Sequence, residues 1–251
     1  MKIISICNVK GGVGKTTSTI FLSRLLAEHG KTLMIDLDSQ NSLTSYFIED
    51  LDQIQDKTIL QALLEETPIE NTIKKINESL DLIPADIDLC RLSTSLRELA
   101  EMQLDKVLET IKDKYDFIVI DCPPSLNLET KQALAISNII VTPTLLEKWS
   151  MRSLDIVSDY AKTKNTRLQQ LTKTNFEGHY ILPTMKEKNR SIQTLVMQDL
   201  NETYLNVLEG IHKRTDVQKL AYVGSDVSIT GTDTYKEYSK VLDSILKLEK
   251  V

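Results

Sequence analysis

The sequence predicts an α/β protein with a doubly wound, mostly parallel sheet and helices on both faces. Apolar runs of strand length alternate with amphipathic runs of helix length, the pattern of repeated βα units joined by right-handed crossovers. Several runs, such as Phe117-Ile118-Val119-Ile120, are continuous and β-branched, as strands covered on both faces require. A glycine-rich stretch, Lys10-Gly11-Gly12-Val13-Gly14-Lys15-Thr16-Thr17, sits between the first apolar run and an amphipathic run reaching Ala27. It reads as a strand, a loop and a helix start.

In chain order, apolar runs predict strands over 2–9, 32–37, 80–84, 117–121, 139–143, 179–183 and 207–211. Amphipathic stretches predict helices near 15–29, 86–98, 104–113, 127–136, 150–163, 190–203 and 232–249. Residues 164–177 are polar and are expected to form an exposed connection. The last helix carries Tyr235, Tyr238, Val241, Leu242, Ile245 and Leu248 at helical spacing, which predicts a packed C-terminal element. There is no internal repeat and no low-complexity tail.

At 251 residues the chain is long enough for one large domain with a substantial core. Its 41% hydrophobic and 26% charged residues are ordinary for a globular protein. No apolar run approaches the roughly 18 residues of a membrane span, and with the first strand starting at the N-terminus neither a signal peptide nor a preceding DNA-binding domain is expected. Cys7, Cys90 and Cys122 are too dispersed for a disulfide framework, and Cys7 and Cys122 read as small core residues. His29, His179 and His212 lack metal spacing. A net charge of −6 argues against a dedicated nucleic-acid binder, while leaving room for a local basic face.

The glycine-rich loop carries the chemistry. Its backbone N–H groups and the positive end of the following helix form an anion site shaped for a polyphosphate. Lys15 can reach β- and γ-phosphates, and the Thr16 hydroxyl can bind Mg²⁺. The usual phosphate-loop pattern needs glycine where this chain has Val9. What fits is K-G-G-x-G-K-T, with a second lysine, Lys10, at the loop's start. Two acidic segments complete the set. Ile35-Asp36-Leu37-Asp38-Ser39-Gln40 ends a strand with two carboxylates expected on one face, suited to Mg²⁺ and water. Asp121, in Ile120-Asp121-Cys122-Pro123-Pro124-Ser125, ends another strand and is placed to hold Mg²⁺ through water.

These three segments resemble the deviant Walker A ATPases of the ParA/MinD family, a branch of the P-loop NTPase fold, and are closest in wording to its ParA/Soj-type partition ATPases. Ser39 stands where that family usually has proline. The contexts of Cys90 and Cys122 do not resemble the ligand segments of the iron–sulfur relatives. The resemblance implies a single ATPase domain over 1–251, ATP and Mg²⁺ as cofactors, and a homodimer with ATP at its interface. It gives catalytic roles to Lys10, Lys15 and Asp38, with Lys10 reaching the partner's phosphates and Asp38 positioning the attacking water. It gives nucleotide contacts to residues 10–17 and, on the adenine side, to Pro183 and Thr184, and metal contacts to Thr16, Asp36 and Asp121. Weaker likeness extends to Thr142–Ser150 and to residues 211–224. The implied activity is a slow, partner-stimulated ATPase switch in plasmid or chromosome partitioning. The implied partners are non-specific DNA and a ParB-type centromere-binding protein, in a cytoplasmic, nucleoid-associated setting without a membrane role. Candidate DNA contacts are Lys186, Lys188, Arg190, Lys213, Arg214, Lys219, Lys236 and Lys240. The alternative is a MinD-like or cargo-positioning ATPase acting on membrane or protein. The tail, Ser244 to Val251, has mixed charge and no aromatic anchor, unlike a membrane-targeting helix.

Overall fold

Each central strand buries both of its faces. The computed structural model describes residues 1–92, 102–172, 174–187, 190–226 and 228–246. Among them, seven strands form one sheet in the order β3-β4-β2-β5-β1-β6-β7. These are β1 (Lys2–Ile6), β2 (Thr32–Asp36), β3 (Lys74–Lys75), β4 (Leu80–Ile83), β5 (Phe117–Asp121), β6 (Ile139–Leu145) and β7 (Gly178–Thr184). All neighbours pair parallel except the short β3, which is antiparallel to β4. Alternate side chains go to opposite cores. Ile3, Leu33, Ile35, Ile118 and Ile120 enter one; Ile4, Ile6, Met34 and Val119 enter the other.

The first core is covered by α3 (Ile59–Leu63), α4 (Gln103–Leu108), α5 (Leu128–Ile136) and α6 (Ser150–Thr172). The second is covered by α1 (Lys15–Leu26), α2 (Ser42–Phe47), α8 (Thr215–Val223) and α9 (Asp233–Leu246). A smaller cluster, with Leu146, Leu154, Ile181, Val196 and Leu200, docks α7 (Ser191–Thr203) beside β7. The expected C-terminal helix is α9. Its Tyr238 is buried, stacks on Phe21 of α1 at 4.7 Å between ring centres, and shares a 2.9 Å hydrogen bond with Ser18 Oγ.

Strand β1 lies between β5 and β6, and the chain leaves it for β2 on one side while β5 later leads through α5 to β6 on the other. This is the switch point beyond whose strand ends such sheets bind ligands. The register places Ile6 beside Asp121, and Asp121 beside Asp36, so the ends of β1, β5 and β2 are level.

Three expectations are corrected. Residues 164–172 continue α6 rather than forming a loop, because 150–172 contains no glycine or proline to stop the helix and polarity alone is not a breaker. Residues 207–211 run along β7 without becoming a strand; the only pairings there among described residues are the bridges Ile181–Val207 and Lys186–His212. Pro183 of β7 accepts from Ile211 N but has no N–H to return, which interrupts the ladder. The helix expected over 86–98 begins as a 3₁₀ turn at Ile87–Arg91 and otherwise falls largely outside the described residues. The short helices α2, α3 and α8 were not anticipated. No helix among the described residues is long and apolar enough to cross a membrane.

Candidate functional site

The loop between β1 and α1 is held from several directions. Asn8 Nδ2 donates to Pro143 O at 2.8 Å, and Asn8 Oδ1 accepts from Lys10 N at 2.9 Å. Thr184 Oγ1, at the end of β7, lies 2.8 Å from Val13 O and 3.1 Å from Thr144 O. Gly12 and Gly14 have φ of 70° and 89°, left-handed values that a side chain resists. Gly14 also precedes the first turn of α1, so its neighbours' N–H groups face the loop's hollow.

The two lysines have different fates. Lys15 is buried, and its Nζ donates to Lys10 O at 3.3 Å, across the loop. Lys10 turns outward: its Nζ lies 2.8 Å from Glu147 Oε2 and 3.3 Å from Ser150 Oγ, beyond the end of β6.

The acidic residues separate as well. Asp36 is fully buried and both its oxygens are engaged, by Asp38 N at 3.0 Å and by Thr44 N and Oγ1 at 2.9 and 2.8 Å. Its carboxylate therefore ties the loop after β2 to α2 and has no oxygen facing a metal, which differs from the expected place in the metal shell. Strand β2 stops at Asp36, and Asp38 turns over the cleft instead of continuing the strand's face. Asp121 Oδ1 accepts from Thr19 Oγ1 at 3.2 Å, while the buried Oδ2 has no partner. An unpartnered buried carboxylate oxygen is costly unless a cation or water serves it. Burial holds the carboxyls of Asp36 and Asp121 well above the usual range; the charge of Asp36 adds to this at Asp121, and the nearby Thr16 hydroxyl and the Lys15 charge oppose it. With the Thr16 hydroxyl beside it, Asp121 fits a hard divalent cation held partly through water. No cluster of three or more His, Cys, Asp or Glu suited to a metal occurs among the described residues, so any ion here would take other ligands too. Burial pushes the Cys7 thiol up to about 12 and raises Cys122, as inert core residues.

Gly11, Gly12, Gly14, Lys15, Thr16, Thr17 and Asp38 open onto one cleft of about 790 Å³. Its remaining wall includes Met185, Val217, Leu220, Tyr222 and Val223. At the end of β7, next to Met185 of this wall, Thr184 buttresses the phosphate loop through Val13 O. The wall from α8 falls within residues 211–224, which the resemblance put on the nucleotide side; its individual side chains were not named, because that segment matched family wording only loosely and no glycine-rich signature marks an apolar wall.

Four of the eight basic candidates carry acidic partners. Glu187 pairs with Arg190 at 2.7 Å and Lys213 at 3.4 Å. Arg214 pairs with Glu237 at 2.7 Å and Asp233 at 3.3 Å, and Lys236 meets Asp233 at 3.5 Å. The Lys186–His212 bridge brings the first two segments together. Lys219 and Lys240 are exposed on α8 and α9, and Lys188 lies outside the described residues.

A central strand feeding a phosphate-shaped loop into a helix, with an acidic strand end beside it, defines a P-loop nucleotide-binding protein. Comparison with known proteins narrows the class. Residues 1–177 match the family model described as an AAA domain. The sporulation initiation inhibitor protein Soj of Bacillus subtilis is 35% identical over 208 residues, covering 81% of this chain and 80% of that one. A plasmid partition protein of Borrelia burgdorferi, solved with AMPPNP bound, is 34% identical with a TM-score of 0.84, covering 98% of both chains. Cobyrinic acid a,c-diamide synthase of Mycobacterium smegmatis, solved with ADP and magnesium, is 25% identical with a TM-score of 0.80, covering 98% of this chain and 94% of that one. The chain belongs to the ParA/Soj-type partition ATPases of the deviant Walker A P-loop family.

Proposed function

We propose that the protein is a DNA-partitioning switch that binds Mg-ATP, pairs with a second copy across the nucleotide, and holds DNA without sequence preference in that state. Hydrolysis, stimulated by a ParB-type partner, resets it. The observation that carries this reading is the divergence of the two loop lysines. Lys15 faces into its own loop, whereas Lys10 leaves it for Glu147, which supports a role for Lys10 outside its own phosphate loop.

Within one subunit, the loop N–H groups and Lys15 hold the β- and γ-phosphates. Thr16 and Asp121 would hold Mg²⁺, which offsets phosphate charge when bound. Asp38 orients the attacking water, and Asp36 holds Asp38 in place through its backbone N–H. Lys10 of the second subunit adds positive charge where negative charge develops on the phosphate oxygens in the transition state. Nucleotide is then part of the subunit contact, so hydrolysis shifts the population back to separate chains.

The salt dependence of binding to random-sequence duplex DNA, measured with ATP, tests the DNA arm. Phosphate contacts predict an affinity loss of about 10-fold or more between about 50 and 200 mM salt. ATP-bound protein that ignores duplex DNA at low salt would reject it. A second reading, an ATPase that positions a protein or membrane cargo, is favoured by one observation: Glu187, Asp233 and Glu237 already neutralise several of the basic candidates.

A further inference from the structure

Asp38 is held over the cleft largely by its backbone. Its N–H donates to Asp36 Oδ1 at 3.0 Å, and its carbonyl accepts from Asn41 N at 2.8 Å. Its Oδ1 accepts from Gln40 N at 3.0 Å. The bonds to Asn41 and Gln40 lie within one turn and would move with it. The bond to Asp36 ties that turn to β2, together with Leu37 N, which donates to Asp121 O at 2.9 Å.

Asp36 is in turn oriented by one residue of α2. Thr44 gives Asp36 Oδ2 two donors, its backbone N at 2.9 Å and its hydroxyl at 2.8 Å. The direction of that hydroxyl is itself fixed. Ala85 N, just past β4, donates to Thr44 Oγ1 at 2.9 Å, so a lone pair is taken and the hydroxyl's one hydrogen goes to Asp36. Ala85 is also anchored, because the preceding Pro84 O accepts from Ile59 N of α3 at 2.8 Å. Thr44 therefore joins the loop after β2 to the loop after β4 through a single oxygen. Asp36, Thr44 and Ala85 are all fully buried, so a group that loses its partner here cannot turn to solvent.

We infer that Thr44 is a positioning residue for ATP hydrolysis: its hydroxyl fixes the Asp36 carboxylate, whose other oxygen fixes the backbone of Asp38. This rests on the reading above that Asp38 orients the attacking water. A misplacement of about 1 Å in such a group can cost about 100-fold in rate. The groups proposed to hold phosphate lie on a different loop, between β1 and α1. Losing the tie is therefore expected to slow the chemical step and spare nucleotide binding.

The experiment measures single-turnover hydrolysis of radiolabelled Mg-ATP by the full chain, with ATP affinity from calorimetry and melting temperature alongside. Thr44→Val keeps the side chain's shape and removes the hydroxyl. It is expected to lower the rate about 10-fold with ATP affinity within about twofold, and Thr44→Ser to restore the rate to within about threefold of wild type. Thr44→Cys, whose thiol donates weakly, is expected to lie between the two and carries the test should the valine variant not fold. Lost stability is controlled by Tyr115→Phe, which removes a buried 2.8 Å bond to Asp81 near the opposite ends of the strands. That protein is expected to melt lower and hydrolyse at the wild-type rate. Combined with Asp38→Ala, Thr44→Val is expected to slow hydrolysis no further, because its effect passes through Asp38. A Thr44→Val or Thr44→Cys protein as fast as the wild type would overturn the inference. So would a loss from Thr44→Val that is equal with and without Asp38, or a Tyr115→Phe protein slowed as much as Thr44→Val. An Asp38→Ala protein as fast as the wild type would instead sink the reading of Asp38 on which the inference rests.

Discussion

Lys15 and Asp121 define opposite electrical needs of one small volume. Lys15 is buried beside phosphate-seeking N–H groups, and Asp121 keeps an unpartnered oxygen beside it. Lys15→Ala is expected to weaken Mg-ATP binding about 100-fold or more, measured by calorimetry. Asp38→Ala is expected to keep nucleotide binding within a few-fold while hydrolysis falls about 100-fold, because orienting water matters only in the reaction. For Asp121, the folded protein holds the carboxyl above its unfolded value, so the group contributes stability at low pH that is lost as pH rises from about 4 through neutrality. Asp121→Asn, without Mg²⁺ at pH 8, should therefore melt no lower than the wild type, yet lose the extra stability that Mg-ATP confers on the wild type. A lower melting point for the unliganded variant would mean the carboxylate is satisfied in a way the structure does not show. At this scale the sequence located the glycine-rich loop and the acidic strand end on the elements where the structure has them. Residues 10–17 and Asp121 are adjacent to their elements, so motif and place coincide. It could not show the tie from Lys10 to Glu147 or from Thr184 to Val13, which join residues 137 and 171 positions apart. It also could not show that Thr44 occupies Asp36, since a threonine in a short helix carries no signature of its own.

Among the elements, β7 braces the phosphate loop and α9 braces α1 from behind the site. His179 on β7 shares a 2.8 Å hydrogen bond with Thr142 of β6. Burial, with a lesser contribution from the Lys162 charge, depresses its pKa to about 4. The unfolded chain takes up the proton near 6.5 and the folded one does not, so this stability is complete above about 6.5 and is lost as pH falls toward 4. His179→Gln should flatten that slope by about 1–2 kcal/mol in denaturant titrations between those limits. In α9, Tyr238→Phe removes only the Ser18 hydrogen bond and should cost about 1 kcal/mol, while Tyr238→Ala also empties the stack on Phe21 and should cost about 3–5 kcal/mol. Equal costs would mean that the ring does not bear on α1. Element identity was readable where burial imposes a period, as in β5 and α9. It failed where the signal was composition: the polar run 164–172 is helical, and the apolar run 207–211 is kept from the sheet by Pro183.

At the scale of the whole molecule, a sheet whose switch point faces one side gathers the loops after β1, β2, β5 and β7 around the nucleotide cleft. The doubly wound class was legible because strand and helix periods alternate along the chain. The assembled wall of that cleft was not, because those loops and α8 contribute to it from segments far apart in sequence. The central claim is that each site is completed by Lys10 of another subunit, and mixing two defective proteins tests it most directly. Lys10→Ala keeps its own Asp38, and Asp38→Ala keeps the lysine it would lend. Each alone should hydrolyse ATP at a small fraction of the wild-type rate. An equimolar mixture should recover roughly a quarter of it, since random pairing makes half the dimers mixed, each with one complete site. A mixture no more active than the sum of its parts would contradict the account and place the action of Lys10 within its own chain.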